Sequence, residues 1–399
     1  MPSDERSYDV VVFGATGFTG QLVCSYLARK AELDPTRWAI AGRSKAKLEE
    51  VRRALAAIDS RLATLAIVIA SVDDPPSLQR MAARTRVVLT TVGPYQRHGE
   101  PVVAACVAAG SDYVDITGEP EFVDTTRARY DARARDKGVR IVSCCGFDSV
   151  PHDLGVYFTV QQLPRDVPIT IEGFVRASGT FSGGTWQSAL GAMARFSESR
   201  TARRSAKDAS ADGTATHGRR VHGVRPRLRW EKRLRAWACP LPTIDPEVVL
   251  RSARTLDAYG PDFRYGHYAQ VRHATTLLGG AVVLGSALAL AQLKPTRSLL
   301  ERVRASGEGP SPETRARAKF RVTFFGSAGG VEVVTTVSGG DPGYDETAKM
   351  ASESALTLAM DRDALPARAG TLTPAAAMGD ALLARLQRAA IRFEVTTER

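Results

Sequence analysis

The sequence predicts an α/β protein in two parts, an N-terminal doubly wound parallel sheet of Rossmann type and a second α+β domain facing substrate. Three observations predict it. Short apolar runs alternate with helix-like segments up to about residue 145, a glycine-rich turn joins the first run to the first helix, and the rhythm changes after Gly155. A chain of 399 residues suits two domains. Its 44% apolar and 24% charged residues are enough to build a sizeable core.

The apolar runs fall at Tyr8–Phe13, Trp38–Ala41, Leu65–Ala70, Val87–Thr91, Tyr113–Ile116 and Arg140–Cys144. Helix-like segments separate them at Phe18–Lys30, Lys45–Ile58, Ser77–Ala83, Glu100–Ala109 and Glu121–Lys137. Strands buried on both faces read as near-continuous apolar runs, and a helix between each pair makes the sheet parallel. Six strands in this rhythm match two mononucleotide-binding halves.

The first strand runs into VVVFGATGFTG. Gly14 suits the tight turn, Gly17 lets backbone approach a pyrophosphate, and Gly20 allows close helix–sheet packing. Thr16, Phe18 and Thr19 complete the loop, whose amides meet phosphate at the positive end of a helix. The second strand ends AGRSKAKL, with Arg43 where a carboxylate would bind the ribose of NAD, and with Ser44 and Lys47 beside it. Two cations suit a 2′-phosphate, so the pattern selects NADP; Ser44 also fits a helix N-cap.

The fourth strand ends TTVGPYQRHGEP, where the fold places the nicotinamide. Val92, Gly93 and Pro94 form the backbone there, and Tyr95 and His98 are the candidate catalytic proton-transfer groups. Tyr95 fits ring packing equally well, and His98 also reads as an ordinary loop histidine. Asp115, Thr117 and Glu119 follow the fifth strand; Asp148, Ser149 and His152 follow the sixth. These groups either line the cleft or cap the next helix, and capping suits Asp148 and Ser149. No nucleophile elbow, P-loop or metal-ligand spacing occurs, so no metal is expected.

The domain boundaries read as 1–149 and 150–399, with about 361–399 packing back on the first domain. In the second part, ITIEGFVRA, Lys319–Phe325 and Val331–Val337 read as strands and Tyr344–Met360 as a helix. From Arg200 to Arg235, twelve basic residues face three acids, so this stretch holds +9 of the chain's +11. It reads as a solvated loop, or as a surface drawn to an anionic membrane face or an acidic carrier protein. No recognition motif accompanies the arginines, so nucleic acid is not expected.

Ala274–Leu293 carries no charge, but its glycines and hydroxyls favour a buried or surface-lying helix over a span, which needs roughly 20 apolar residues. Five cysteines without a CxxC, and an opening MPSDERSYDVVVFG that runs straight into a strand, predict a reducing, cytoplasmic setting.

The segments GATGFTG, AGRSxxKL, VGPYxxxGEPVVxAC, DYxDxTGEP, GFDSVPxDLG, GTW, GDPGY and LTPAAAMGDALLxRL occur in this order over nearly the whole chain. Together they resemble the saccharopine dehydrogenase-like oxidoreductase family, and within it the trans-acting enoyl reductases of phthiocerol-type cell-envelope lipid assembly. The resemblance implies an NADP-bearing Rossmann domain, a substrate domain, and peripheral attachment to lipid at the inner face of the plasma membrane. It implies reduction of a long acyl or polyketide thioester, presented by a carrier protein or polyketide synthase, and is compatible with a homodimer. The alternatives are an NADP oxidoreductase of another substrate, or a lipid-associated redox sensor or scaffold. Relatives often end the third strand with an aspartate near the adenine, where this chain has Ser71.

Overall fold

The computed structural model describes residues 6–30, 34, 37–178, 219–225, 227–241, 243–276, 279 and 309–398. The first sheet contains β1 (Tyr8–Phe13), β2 (Trp38–Gly42), β3 (Ala66–Ile69), β4 (Thr85–Thr90), β5 (Asp112–Asp115), β6 (Arg140–Val142) and β14 (Gly370–Leu372). Its order is β14-β6-β5-β4-β1-β2-β3, parallel throughout. The chain steps outward from β1 to β3 and restarts on the other side with β4, which opens a crevice between β1 and β4 at their carboxyl ends.

Alternate residues of β1 face opposite cores, as a two-residue period requires: Val10 and Val12 one way, Val11 and Phe13 the other. On the second face lie α3 (Pro75–Ala83), α4 (Tyr95–Ala109) and α5 (Pro120–Asp136). On the first lie α1 (Phe18–Leu27) and α2 (Lys45–Ala56), joined by α9 (Asp345–Met360) from late in the chain. α4 starts five residues before the expected Glu100, because Gly99 and Pro101 sit inside a helix whose first amides are capped from elsewhere.

The second sheet has β7 (Ile169–Ala177), β8 (Arg220–Gly223), β9 (Arg229–Glu231), β10 (Ala236–Pro240), β11 (Asp262–Val271), β12 (Phe320–Ala328), β13 (Val331–Gly339) and β15 (Arg392–Glu398). The order is β15-β13-β12-β7-β11-β10-β9, with β8 also on β11. Between the sheets run α6 (Val150–Val160) and α10 (Pro374–Arg388), with α7 (Asp245–Thr255) against α6 and β11, while α8 (Pro312–Arg317) is a short surface helix.

One apolar core runs from Val10 and Leu89 through Leu154 and Leu356 to Ile171 and Phe324, so the two sheets share a single interior. β14 places residues 370–372 in the first sheet, while β15 closes an edge of the second. Phe181–Trp186, residues 200–218 of the basic stretch, and all of Ala274–Leu293 except residues 274–276 and 279 lie outside the described residues. Among the described residues no helix is long and apolar enough to cross a membrane.

Candidate active site

The three glycines of the first turn occupy distinct environments. Gly14 has φ of +92°, and an added Cβ would stand 2.7 Å from Val92 Cγ2 and 2.9 Å from Thr91 Oγ1. Gly20 packs against the turn so closely that a Cβ would lie 2.1 Å from the Gly14 carbonyl oxygen. Gly17 is exposed, extended (φ −77°, ψ 162°), and its Cβ would meet only that same oxygen, at 3.4 Å. The first two therefore hold the turn together, and Gly17 presents bare backbone to the crevice.

α1 begins behind it with no side-chain cap and no acid in its first turn. The first-turn amides of a helix have no partner inside it, so those after Gly17 are free to meet an anion. Thr16, Phe18 and Thr19 are half-buried around this loop. The Phe18 ring is wedged edge-on against Tyr344 (centroids 5.0 Å apart), which couples the loop to the start of α9.

At the end of β2, Arg43 and Lys47 are exposed, and among the described residues no carboxylate pairs with either. Ser44 caps α2, its hydroxyl accepting the Lys47 amide at 3.4 Å. Two unengaged cations one helical turn apart, beside the phosphate turn, fit a 2′-phosphate. Ser71 is half-buried and occupied in its own turn, its hydroxyl accepting the Asp73 amide and its amide donating to Ser77 Oγ. Val92 borders Gly14 across the crevice, Gly93 is exposed beside it, and Pro94 is the N-cap of α4.

Tyr95 is not at the surface of this cleft. It is 6% exposed, its hydroxyl donates to the Thr90 carbonyl (3.1 Å) and accepts the Ile116 amide (3.4 Å), and its ring packs on Phe122. Burial pushes the phenol well above its ordinary value. Both hydrogen bonds are internal, so Tyr95 ties β4 to the loop after β5, and the expectation of a proton-transfer role is corrected to a structural one. His98 sits half-buried on the first turn of α4.

Glu119 caps α4 from the next loop, accepting the Tyr95 and Gln96 amides at 3.0 Å each. Asp115 gathers the strand ends: Oδ1 accepts the Thr117 and Cys144 amides and Oδ2 the Ser143 hydroxyl, and burial lifts the carboxyl to about 6. Thr117 turns its hydroxyl to the Glu119 amide. These three residues build the loops and leave no free group for substrate chemistry.

Asp148 and Ser149 do not cap α6 as expected, since the Ser149 hydroxyl donates back to the Asp148 carbonyl. The Asp148 carboxylate instead stands half-buried beside Gly118, where an added Cβ would lie 3.2 Å from Oδ2. Burial, and the negative charge of Asp245, raise it to about 7. His152 turns inward and meets Asp245 and His267, a grouping that no local spacing announces because its members lie 93 and 22 residues apart.

Residues 10–142 match the family model described as the saccharopine dehydrogenase NADP binding domain. A Mycobacterium tuberculosis chain that carries the provisional name of trans-acting enoyl reductase is 40% identical over 99% of both chains. A Mycobacterium ulcerans chain named trans-acting enoyl reductase is 35% identical over the same shares. Among solved structures, apo saccharopine dehydrogenase (L-Glu forming) of Saccharomyces cerevisiae superposes with a TM-score of 0.52, over 97% of this chain and 99% of that one. At 11% identity that likeness speaks for the fold alone.

Proposed function

The chain belongs to the saccharopine dehydrogenase-like family of NADP-dependent oxidoreductases, and from that footing we propose that it is a trans-acting enoyl reductase acting on a long acyl or polyketide thioester. The observation that carries the reading is full-length similarity, 40% over 99% of both chains, to a protein so named. Saccharopine chemistry has no such support, because the solved saccharopine dehydrogenase shares the fold at 11% identity.

The residues divide the work. The amides after Gly17 would hold the pyrophosphate, and Arg43, Ser44 and Lys47 the 2′-phosphate. Val92–Pro94 would back the nicotinamide at the carboxyl end of β4. NADPH, when bound, supplies the hydride. The protein must then deliver a proton to the α-carbon of the thioester, and two groups at this edge qualify. His98 lies on the first turn of α4, and Asp148 carries a proton up to about pH 7. The donor form of Asp148 is present below that value and is lost as pH rises through it.

NADPH consumption by the purified chain with a trans-2-enoyl thioester tests the reading, followed against pH. Wild-type turnover should fall above about pH 7, and Asp148→Asn should lower turnover at least 10-fold and remove that limb. An unchanged limb in Asp148→Asn, lost in His98→Ala, would transfer the role to His98. Tight NADPH binding with no consumption on any enoyl thioester would favour a redox sensor or a dehydrogenase of another substrate.

Peripheral attachment to an anionic lipid surface belongs to the same proposal, and one edge of the second sheet supports it. β7 and β11 are parallel neighbours, so their carboxyl ends lie at one edge of the sheet. Register places Trp230 beside Trp237 and Trp237 beside Val271 there, with Arg176 beside Arg321. Trp230 is 47% exposed and Leu228 51%, with Arg272 and His273 open next to them. Aromatic rings mixed with cations suit a headgroup layer. An acidic carrier would use the same charge to deliver the thioester.

A further inference from the structure

We propose that His152, Asp245 and His267 form a binding site for one divalent transition-metal ion of the zinc class. The three come from different elements: the first turn of α6, the first residue of α7 and the middle of β11. They are 2%, 2% and 4% exposed, and one ligand atom from each lies within 4.8 Å of the others. His267 Nε2 stands 3.3 Å from Asp245 Oδ2, and His152 Nε2 stands 3.8 Å from Asp245 Oδ1. Ligands of tetrahedral zinc, each about 2.1 Å from the metal, lie roughly 3.4 Å apart, so small adjustments would close the set.

His152 Nδ1 and Asp245 Oδ1 are buried without a hydrogen-bond partner, and His267 Nε2 faces the Asp245 carboxylate alone. A buried polar atom left unpaired costs about 1–3 kcal/mol, so the cluster needs an explanation. A cation would engage His267 Nε2 and Asp245 Oδ1 directly.

The surrounding groups orient the ligands as outer partners do in metal sites. The Tyr265 hydroxyl lies 3.0 Å from His267 Nδ1, so a proton on Nδ1 would leave the Nε2 lone pair free. Thr243 Oγ1 donates to Asp245 Oδ2, which steadies the carboxylate. The two imidazole rings meet edge to face at 4.9 Å. Two neutral nitrogens and one carboxylate match the donor preference of zinc, whereas magnesium and calcium take oxygen. Three protein ligands leave a fourth position for water. The ion would tie α6, α7 and β11 together and would offset the charge of Asp245 that helps raise Asp148, so the pH limb proposed above is read on chelator-stripped chain.

Metal analysis of the full chain, purified without a histidine tag and dialysed, tests this. About one zinc per chain is expected, falling at least 10-fold in both His267→Gln and Asp245→Asn. Cobalt added to chelator-stripped protein should give the visible bands of tetrahedral N/O coordination, and zinc should raise Tm where magnesium does not. The cobalt experiment uses the wild-type chain, so it stands even if a variant fails to fold. A folded chain that holds no zinc, gives no cobalt bands and shows no zinc-dependent Tm overturns the proposal. Stoichiometric zinc that persists in both variants overturns it as well, placing the metal elsewhere. NADPH consumption is measured separately and decides the reductase reading independently.

Discussion

Gly17 and Gly20 lie three residues apart and answer to different forces. A methyl at Gly20 would enter the Gly14 carbonyl at 2.1 Å, so the loop or α1 must move. Overpacking of this kind costs about 1–3 kcal/mol. A methyl at Gly17 meets nothing closer than 3.4 Å and points where a phosphate would lie. Gly20→Ala should therefore lower Tm by several degrees, whereas Gly17→Ala should keep Tm within about a degree and weaken NADPH at least 10-fold. Thermal melts with fluorescence titration separate them, and a Gly17→Ala chain that binds NADPH normally would remove the phosphate role from this turn.

On the proposed reading, Arg43 is the residue that separates the two nicotinamide cofactors. A charge-assisted hydrogen bond contributes about 1.5–3 kcal/mol, so Arg43→Ala should raise the Kd for NADPH roughly 10- to 100-fold and leave NADH within about 2-fold. Equal losses for both would make Arg43 part of the scaffold only.

At the scale of elements, legibility followed the physics of burial. β1 to β6 were visible as short, largely apolar runs, most of them covered on both faces as in β2, where all five residues are buried, although β3 lies half-exposed at the sheet edge. β8, β9 and β14 were not, being three or four residues long and carrying charge or glycine, nor were β10, β11 and β15, the last two of which carry charged residues within the strand. The start of α4 was hidden behind Gly99 and Pro101, since the cap that permits it comes from Glu119, more than twenty residues on. The phosphate turn and the cation pair at Arg43 and Lys47 were readable for the same reason as the strands, because each is contiguous. Tyr95 could not be assigned from its position alone, as its burial depends on Thr90, Ile116 and Phe122.

α9 explains how late sequence stabilises the early sheet. It packs on α1 and α10, and Glu353, fully buried, accepts from the Tyr26 hydroxyl and pairs with Lys30 and Arg385. Removing one partner of a buried ion pair typically costs about 3–5 kcal/mol, since the remaining charge stays in the interior. Glu353→Gln should lower the unfolding free energy from urea denaturation by an amount of that order, without altering the ratio of NADPH to NADH affinity. A loss below about 1 kcal/mol would show that the network is solvated and not central to docking α9.

For the whole molecule, a shared interior means that the two sheets should unfold together, and that surface properties belong to edges. The edge bearing Trp230 and Trp237 lies at the carboxyl ends of β7 and β11. Each cation near an anionic headgroup contributes about 1 kcal/mol, falling off within a Debye length of about 8 Å at physiological salt. Binding to phosphatidylserine-containing vesicles should therefore drop steeply with salt, and drop again when the arginines between 200 and 235 become glutamine, while NADPH affinity stays unchanged. Binding that is indifferent to salt and to those arginines would make the stretch a solvated loop. Loss only on making Leu284 and Leu288 charged would shift attachment to the apolar stretch.

The reaction proposed for this NADPH site is reduction of a carbon–carbon double bond conjugated to a thioester. Its most direct measurement is transfer of label from NADPH deuterated at the transferred position of the nicotinamide to a trans-2-enoyl thioester, with the product read by mass spectrometry. The expected product is a saturated thioester carrying one deuterium at the β-carbon for each NADPH consumed, and a solvent proton at the α-carbon. A folded chain that binds NADPH tightly yet leaves short and long enoyl thioesters unsaturated would contradict it.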